Sequence, residues 1–318
     1  MYNYKQIING IQNPSRVADE ISFQLRKHRP HDIGVQGSYQ TGNIGDRAIG
    51  ELLKQRFRRK GFSTEMFSNT VESSNSPIKI LGGGGVLHDW YGTDHLKRRL
   101  NYVTSGEKGI VLGVGVPGFQ SSEARDLIAE SLPEMDLITV RDERSKQNIH
   151  AVCDVDVSVT ACPVFLYDTP SIETTNRTGV NFRPYFNEKE DLSKNDLKYY
   201  FGYDDIHNAN SRYIENAKSI CNQLEEPVFI PFTQGDEKFA RKHLDIPILE
   251  YTFSVEETIR RVASVKRMVT MRYHSLIFAA ISRTPVLAIG YEPKVEEVAK
   301  RLEIPTYRPH KEIPIKFS

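Results

Sequence analysis

The sequence predicts an α/β protein of two Rossmann-like domains facing a cleft, and three observations carry that expectation. Short apolar, β-branched runs alternate with stretches of helical period in both halves of the chain. A polar, proline-bearing stretch at residues 168–178 (DTPSIETTNRT) reads as a linker between the halves. Several strand ends deliver glycines or cationic side chains, as expected where ligands gather at the carboxyl edge of a parallel sheet. The expected domains are therefore residues 1–168 and 169–318, and 318 residues suffice for two cores.

Composition narrows the function classes. Lysine plus arginine (42) nearly cancels aspartate plus glutamate (41), so no bulk field argues for nucleic acid. Three cysteines without a CxxC pair fit a reduced, cytoplasmic compartment. The opening MYNYKQIINGIQNPSR lacks the apolar core of a signal peptide. No apolar run approaches the roughly 18 residues needed to cross a bilayer. A lipid-linked substrate would be met at the inner face of the membrane, by peripheral contact at most.

In chain order, residues 15–28 read as an amphipathic helix with Val17, Ile21, Phe23 and Leu25 as core candidates. A strand at 32–36 runs into Gly37-Ser38-Tyr39-Gln40-Thr41-Gly42-Asn43-Ile44-Gly45-Asp46, and a helix follows at 47–60 with Ile49, Leu52, Leu53 and Phe57 as its apolar stripe. Asp46 can cap that helix. A glycine-rich loop before a helix can present N–H groups to an anion, or it can be a plain turn. The Lys-Ser/Thr pair of a P-loop is absent, and the glycine spacing is not that of the dinucleotide fingerprint. Strand 77–81 leads into Gly82-Gly83-Gly84-Gly85, where backbone can approach a ligand closely. Trp90 beside it is either a platform for a sugar ring or a half-buried packing residue. His88, Asp89, Asp94 and His95 match no metal-ligand spacing, so no metal is expected. Strand 109–114, a helix near 122–130 and strand 136–140 complete the half. The last strand ends in Arg141-Asp142-Glu143-Arg144-Ser145, opening a helix to His150.

The second half starts a new series of strands at residues 179–184. The charged, tyrosine-rich stretch 187–208 reads as a surface excursion or mobile flap. Helix 210–224, strand 228–231, helix 235–243, a short strand at 247–249 and helix 255–265 lead to residues 268–294, MVTMRYHSLIFAAISRTPVLAIGYEPK. There an apolar strand ends at Arg272-Tyr273-His274, a helix spans 275–282, and a second strand, 286–289, ends before Lys294. This is a parallel βαβ unit, and neighbouring strands lie about 5 Å apart. Arg272, His274 and Lys294 can thus converge on one small anion, or they are ordinary surface charges around a helix-start histidine.

Four segments in order carry a resemblance: Gly42-Asn43-Ile44-Gly45-Asp46-x-Ala48-Ile49, Gly82–Gly85 with Val86-Leu87, Val140-Arg141-Asp142-x-x-Ser145, and Arg272-Tyr273-His274-Ser275-Leu276 with Lys294. Over residues 37–301 the chain resembles the polysaccharide pyruvyl transferase family. That resemblance implies two GT-B-like domains and transfer of the pyruvyl group of phosphoenolpyruvate onto two sugar hydroxyls as a cyclic ketal, in cell-surface or exopolysaccharide synthesis. It implies phosphoenolpyruvate contacts at Arg141, His274 and Lys294, with Arg272 in the family's place before the histidine. Phosphoenolpyruvate is then a co-substrate and no further cofactor is needed.

The residue chemistry agrees. Arginine offers a planar fork for carboxylate or phosphate, and lysine a compact charge for phosphate. Histidine, with an unperturbed pKa near neutrality, can protonate the methylene carbon and later accept a hydroxyl proton. The saccharide acceptor, lipid-diphosphate-linked, nucleotide-linked or polymeric, is expected near Asn43, Asp46, Gly84, Gly85, His88 and Trp90. Asp46 could take the hydroxyl proton there, although capping explains it with less. Two rivals share the shape: a nucleotide-sugar glycosyltransferase using Arg272 and Lys294 on a diphosphate, and a non-catalytic glycan-binding protein.

Overall fold

A computed structural model describes residues 14–184 and 206–317. The described chain forms two compact units. One comprises the chain up to Thr41 together with Asp46–Pro163; the other comprises Gly42–Gly45 and the chain from Val164 onward. Each is built on a parallel sheet, with ten α-helices among the described residues.

The first unit runs α1 (Pro14–Arg26), β1 (Ile33–Gly37), most of α2 (Ile44–Arg59), β2 (Thr64–Ser68), β3 (Ile78–Gly82), α3 (Thr93–Thr104), β4 (Lys108–Val114), α4 (Ser122–Ser131), β5 (Leu137–Val140), α5 (Glu143–His150) and β6 (Ser158–Val159). Its sheet has the order β2-β1-β3-β4-β5-β6, all parallel. Every residue of β1 is buried, as a parallel strand covered on both faces requires. Leu81, Val111, Ile138 and Val140 pack with Leu96, Leu100 and Val103 of α3 and Ile128 of α4 into one core.

The second unit runs β7 (Thr178–Asn181), α6 (Ile206–Gln223), β8 (Pro227–Phe229), α7 (Gln234–His243), α8 (Val255–Ala263), β9 (Arg267–Thr270), α9 (Tyr273–Ile281), β10 (Val286–Ile289), α10 (Pro293–Arg301) and β11 (Thr306–Tyr307). Its sheet has the order β11-β10-β9-β7-β8, again parallel throughout. β9 is therefore central, flanked by β7 and β10, so the residues following these three strands share one edge. Helix α9 is mostly apolar, and its residues from Tyr273 to Ala279, His274 and Ser275 included, are all buried.

Several expectations need correction. Ile21 and Leu25 of α1 are 56% and 68% exposed, whereas Phe23 is core. The helix turns Phe23 and Glu20 inward, and Glu20 accepts the Ser68 hydroxyl of β2 at 2.9 Å. The side chain of Val17 and most of the stretch 187–208 lie outside the described residues; from Ile206 that stretch is helix. Helix α2 begins at Ile44, where the Asn43 Oδ1 accepts the Gly45 N–H at 3.0 Å. Asp46 thus sits inside the first turn instead of capping it. Phe57 is only half-buried. The strand expected at 247–249 reduces to a single bridge between Ile248 and Phe229.

Candidate active site

In the first unit the sequence-predicted residues collect where β3, β4 and β5 end. Gly83 and Gly84 have φ of 61° and 76°, a region favouring glycine. A Cβ on Gly83 would fall 2.5 Å from Ile49 Cγ2, so α2 lies directly against the turn. Beyond it, Gly85 bridges Gly115, and the Gly115 N–H donates to Gly84 O at 2.7 Å. Arg141 lies across Gly115: a Cβ there would come within 2.4 Å of its Cζ and Nη2. Gly115 therefore clears the space for a buried guanidinium.

The Val140-Arg141-Asp142-x-x-Ser145 pattern now has a mechanical explanation. Asp142 caps α5, its Oδ1 accepting the Ser145 N–H at 2.8 Å, while its Oδ2 accepts Arg141 Nε at 3.2 Å. The Ser145 hydroxyl accepts the Val116 N–H at 2.8 Å, tying α5 to the segment after β4. One carboxylate both starts a helix and orients the arginine.

The neighbouring residues divide. His88 is buried, accepts the Trp90 N–H on Nδ1 at 3.2 Å, and packs against the Trp90 and Tyr91 rings at 4.9 and 5.8 Å. Trp90 is half-buried, and Tyr91 is the exposed aromatic of the group. Asp89 turns away to accept N–H groups of Gln120 and Ser121, both at 2.9 Å. Gly84 lies close to Asp46, whose Oδ1 would be 3.5 Å from a Cβ placed there. Arg99 escaped the sequence reading because helix α3 was not foreseen. It is buried, donates to Val86 O at 2.5 Å and reaches Ser38 Oγ at 3.4 Å. Burial lowers its pKa to about 10, opposed by the charge of Asp46.

In the second unit, Arg272, His274 and Lys294 follow adjacent strands, but they do different things. Arg272 is buried and braced by Asp236, which is fully buried: Nε donates to Oδ2 at 2.6 Å and Nη2 to Oδ1 at 2.5 Å. Nη2 also reaches Thr233 Oγ1 at 3.0 Å. The same carboxylate accepts the Phe232 and Thr233 N–H groups and completes the capping box of α7. The Arg272 main chain is held as well, its N–H by Asn181 Oδ1 and its carbonyl by the Ser275 hydroxyl. Arg272 thus staples the ends of β7 and β9 to the start of α7. It is a buried, paired guanidinium and not a solvated surface charge.

His274 occupies the first turn of α9 and is 6% exposed, with the Tyr273 ring edge-on at 5.0 Å. Its imidazole is covered by the Gly42–Gly45 segment. A Cβ on Gly45 would fall 2.0 Å from both Cγ and Nδ1 of His274. Two tethers hold that segment: the Ile44 N–H donates to Phe232 O at 3.1 Å, and the Tyr251 hydroxyl donates to Gly42 O at 2.8 Å.

Lys294, in the first turn of α10, is paired with Glu292, itself 4% exposed. The other oxygen of Glu292 lies 4.0 Å from Nη1 of Arg183, the residue shortly after β7. In the sequence Arg183 marks only the start of the second series of strands.

Residues 43–293 match a family model described as polysaccharide pyruvyl transferase. No curated protein matches the sequence. Among solved structures, a functionally uncharacterized protein, KP1_0663 from Klebsiella pneumoniae subsp. pneumoniae NTUH-K2044, is similar at 16% identity. The match covers 96% of this chain and 99% of that one with a TM-score of 0.52, which bears on fold alone. An alpha-glucosyltransferase solved with UDP and a 13-mer DNA matches at 9% identity over 82% of this chain and 80% of that one. Its TM-score of 0.35 carries no argument.

Proposed function

The chain belongs to the polysaccharide pyruvyl transferase family, and from that premise we propose that it moves the pyruvyl group of phosphoenolpyruvate onto two hydroxyls of a saccharide as a cyclic ketal. The observation that carries the reading is His274: a buried imidazole at the carboxyl edge of a parallel sheet, covered by the family's glycine loop, with cations after both neighbouring strands. His274 in its protonated form donates to the methylene carbon of phosphoenolpyruvate, leaving a cation stabilised by the enol oxygen. A sugar hydroxyl adds to the adjacent cationic carbon, which bears the phosphoryl oxygen, and its proton passes to the now neutral imidazole. The C–O bond to phosphate breaks, the second hydroxyl closes the ring, and the remaining proton leaves with phosphate. The balance is one phosphoenolpyruvate and one diol giving one ketal and one phosphate.

Acid–base catalysis of this kind contributes roughly 10²–10⁴-fold. Binding and charge stabilisation supply the rest, and the reading assigns them to Lys294 and Arg141 on the donor. Arg272 acts by holding the frame around His274. Asn43, Asp46, Gly84, Gly85, His88 and Trp90 are proposed to face the acceptor. No helix of the described residues is long and apolar enough to cross a membrane. The proposed setting is the cytoplasm, with a lipid-linked acceptor met at the membrane surface.

The test is mass spectrometry of a panel of saccharide acceptors incubated with phosphoenolpyruvate. A gain of the pyruvyl mass less water on one acceptor supports the reading. Transfer from a nucleotide sugar instead, with phosphoenolpyruvate inert, refutes it.

A further inference from the structure

We infer that Arg183 and Lys294 together form the seat for the donor's anionic group, and that Glu292 holds the two cations in place until the anion arrives. The inference rests on the reading of phosphoenolpyruvate as donor for the ligand's identity, but the anion seat itself is argued from geometry.

With Arg272 engaged by Asp236, the carboxyl edge of the second sheet has other cations after β7 and β10. Arg183 is 8% exposed, and its position is fixed by several partners. The Tyr213 hydroxyl donates to its carbonyl at 2.7 Å and accepts its N–H at 3.2 Å. Burial pushes the Tyr213 phenol well above its usual range, so it remains a proton donor. The guanidinium of Arg183 lies over the Tyr291 ring, 4.8 Å from its centroid, and Nη1 donates to the Tyr291 hydroxyl at 2.6 Å. Lys294 approaches the same ring from its own element, 5.9 Å from the centroid. Tyr291 is therefore a shared floor beneath two cations.

Between them stands one buried carboxylate. Glu292 pairs with Lys294 through one oxygen and lies 4.0 Å from Arg183 through the other. Counting Arg183, Lys294 and Glu292, the cluster carries one net positive charge. At 4.0 Å the Arg183 contact is long for a charge-assisted hydrogen bond, so Glu292 saturates the lysine and only steadies the arginine. An incoming phosphate or carboxylate of phosphoenolpyruvate would draw Lys294 from Glu292 and take the arginine's fork, while Glu292 relaxes toward Arg183. Lys294 is suited to this, being 31% exposed at its side chain, whereas Arg183 is a fixed wall.

A purely structural role and the anion seat predict opposite results for one substitution. Glu292→Gln removes the competing charge without changing shape. If Glu292 merely braces the fold, the variant binds anions no better than wild type. On the present inference it binds phosphoenolpyruvate and inorganic phosphate about 10-fold more tightly or better, while Arg183→Gln weakens both by roughly 10- to 100-fold, the worth of a hydrogen bond between charged groups. Arg183→Lys, keeping the charge without the fork, recovers part of the loss. Titration calorimetry with inorganic phosphate and with phosphoenolpyruvate, separately, reads all three variants. Unchanged affinity in Arg183→Gln, unchanged or weaker binding in Glu292→Gln, or a wild type that binds neither anion overturns the inference. A wild type that binds phosphate but not phosphoenolpyruvate, with the expected response in the variants, upholds the anion seat and refutes the donor instead.

Discussion

Replacing Gly45 by alanine is the most economical way to disturb the proposed chemistry without touching a charged group. The added methyl would lie 2.0 Å from Cγ and Nδ1 of His274 and 2.3 Å from its Cβ. Ordinary contact begins near 3.4 Å, so the imidazole and the Gly42–Gly45 segment must separate by about 1.4 Å. Gly45 is not in the left-handed region, since its φ is not among the positive ones, so the change introduces no backbone strain of its own. Alanine is favoured over glycine within a helix by up to about 1 kcal/mol, which partly offsets the lost packing. A displacement of about 1 Å in a catalytic group costs on the order of 100-fold, equivalent to about 2.7 kcal/mol of barrier. Gly45→Ala should therefore lower kcat for phosphate release by on the order of 100-fold while the protein stays folded. Imidazole resonances of His274, followed by NMR in isotopically labelled protein, should shift even without acceptor. Turnover within about threefold of wild type, with unmoved resonances, would refute the argument that this glycine sets the ring.

Two further outcomes follow from buried ion pairs. Asp236→Asn leaves the Arg272 guanidinium short of its bidentate partner in a buried site and should cost about 3–5 kcal/mol in urea denaturation; a loss below about 1 kcal/mol would show that Arg272 is not the staple described. In the first unit, Glu65 of β2 is buried between Lys54 at 2.6 Å and Arg26 at 2.9 Å. Burial raises its carboxyl pKa, but the Lys54 contact, the Met66 N–H and Arg26 together outweigh it, leaving the value below the ordinary 4.5. A depressed carboxylate stabilises the fold above its unfolded pKa and loses that contribution as pH falls through the folded one. Glu65→Gln should thus cost about 1–2 kcal/mol near pH 7, discounted for the partly exposed Arg26 and Lys54, and progressively less as pH falls below the ordinary 4.5. A cost that does not change with pH across that acid range would contradict this.

Much of the scaffold was legible because parallel strands are buried on both faces and announce themselves as short apolar runs. The βαβ unit around β9, α9 and β10 is one example, and its Arg272-Tyr273-His274 turn falls at the strand end where periodicity put it. The partners of those residues were not legible. Asp236 meets Arg272 across 36 positions of chain, and nothing in the local pattern of α7 distinguishes a capping aspartate from one that also takes an arginine. Arg183 and Glu292 become neighbours only once β7 and β10 flank β9. Strand β2 was missed because TEMFS carries a glutamate, whose burial is tolerable only beside cations from other elements. The exposed and buried faces of α1 were confused because Ile21 and Leu25 share a face four residues apart, yet the helix presents Phe23 to the core. In each case long-range pairing decided what local pattern left open.

The central claim is that an imidazole delivers a proton to carbon. Running the reaction in deuterated water with the acceptor identified by mass spectrometry, and inspecting the ketal methyl group by NMR, tests it most directly. Wild type should place one deuterium in that methyl group at each turnover, and His274→Gln should retain the fold and phosphoenolpyruvate affinity while forming ketal at least 10²-fold more slowly, the lower range for acid–base catalysis. A His274→Gln variant that forms deuterated ketal at a near wild-type rate would contradict the account.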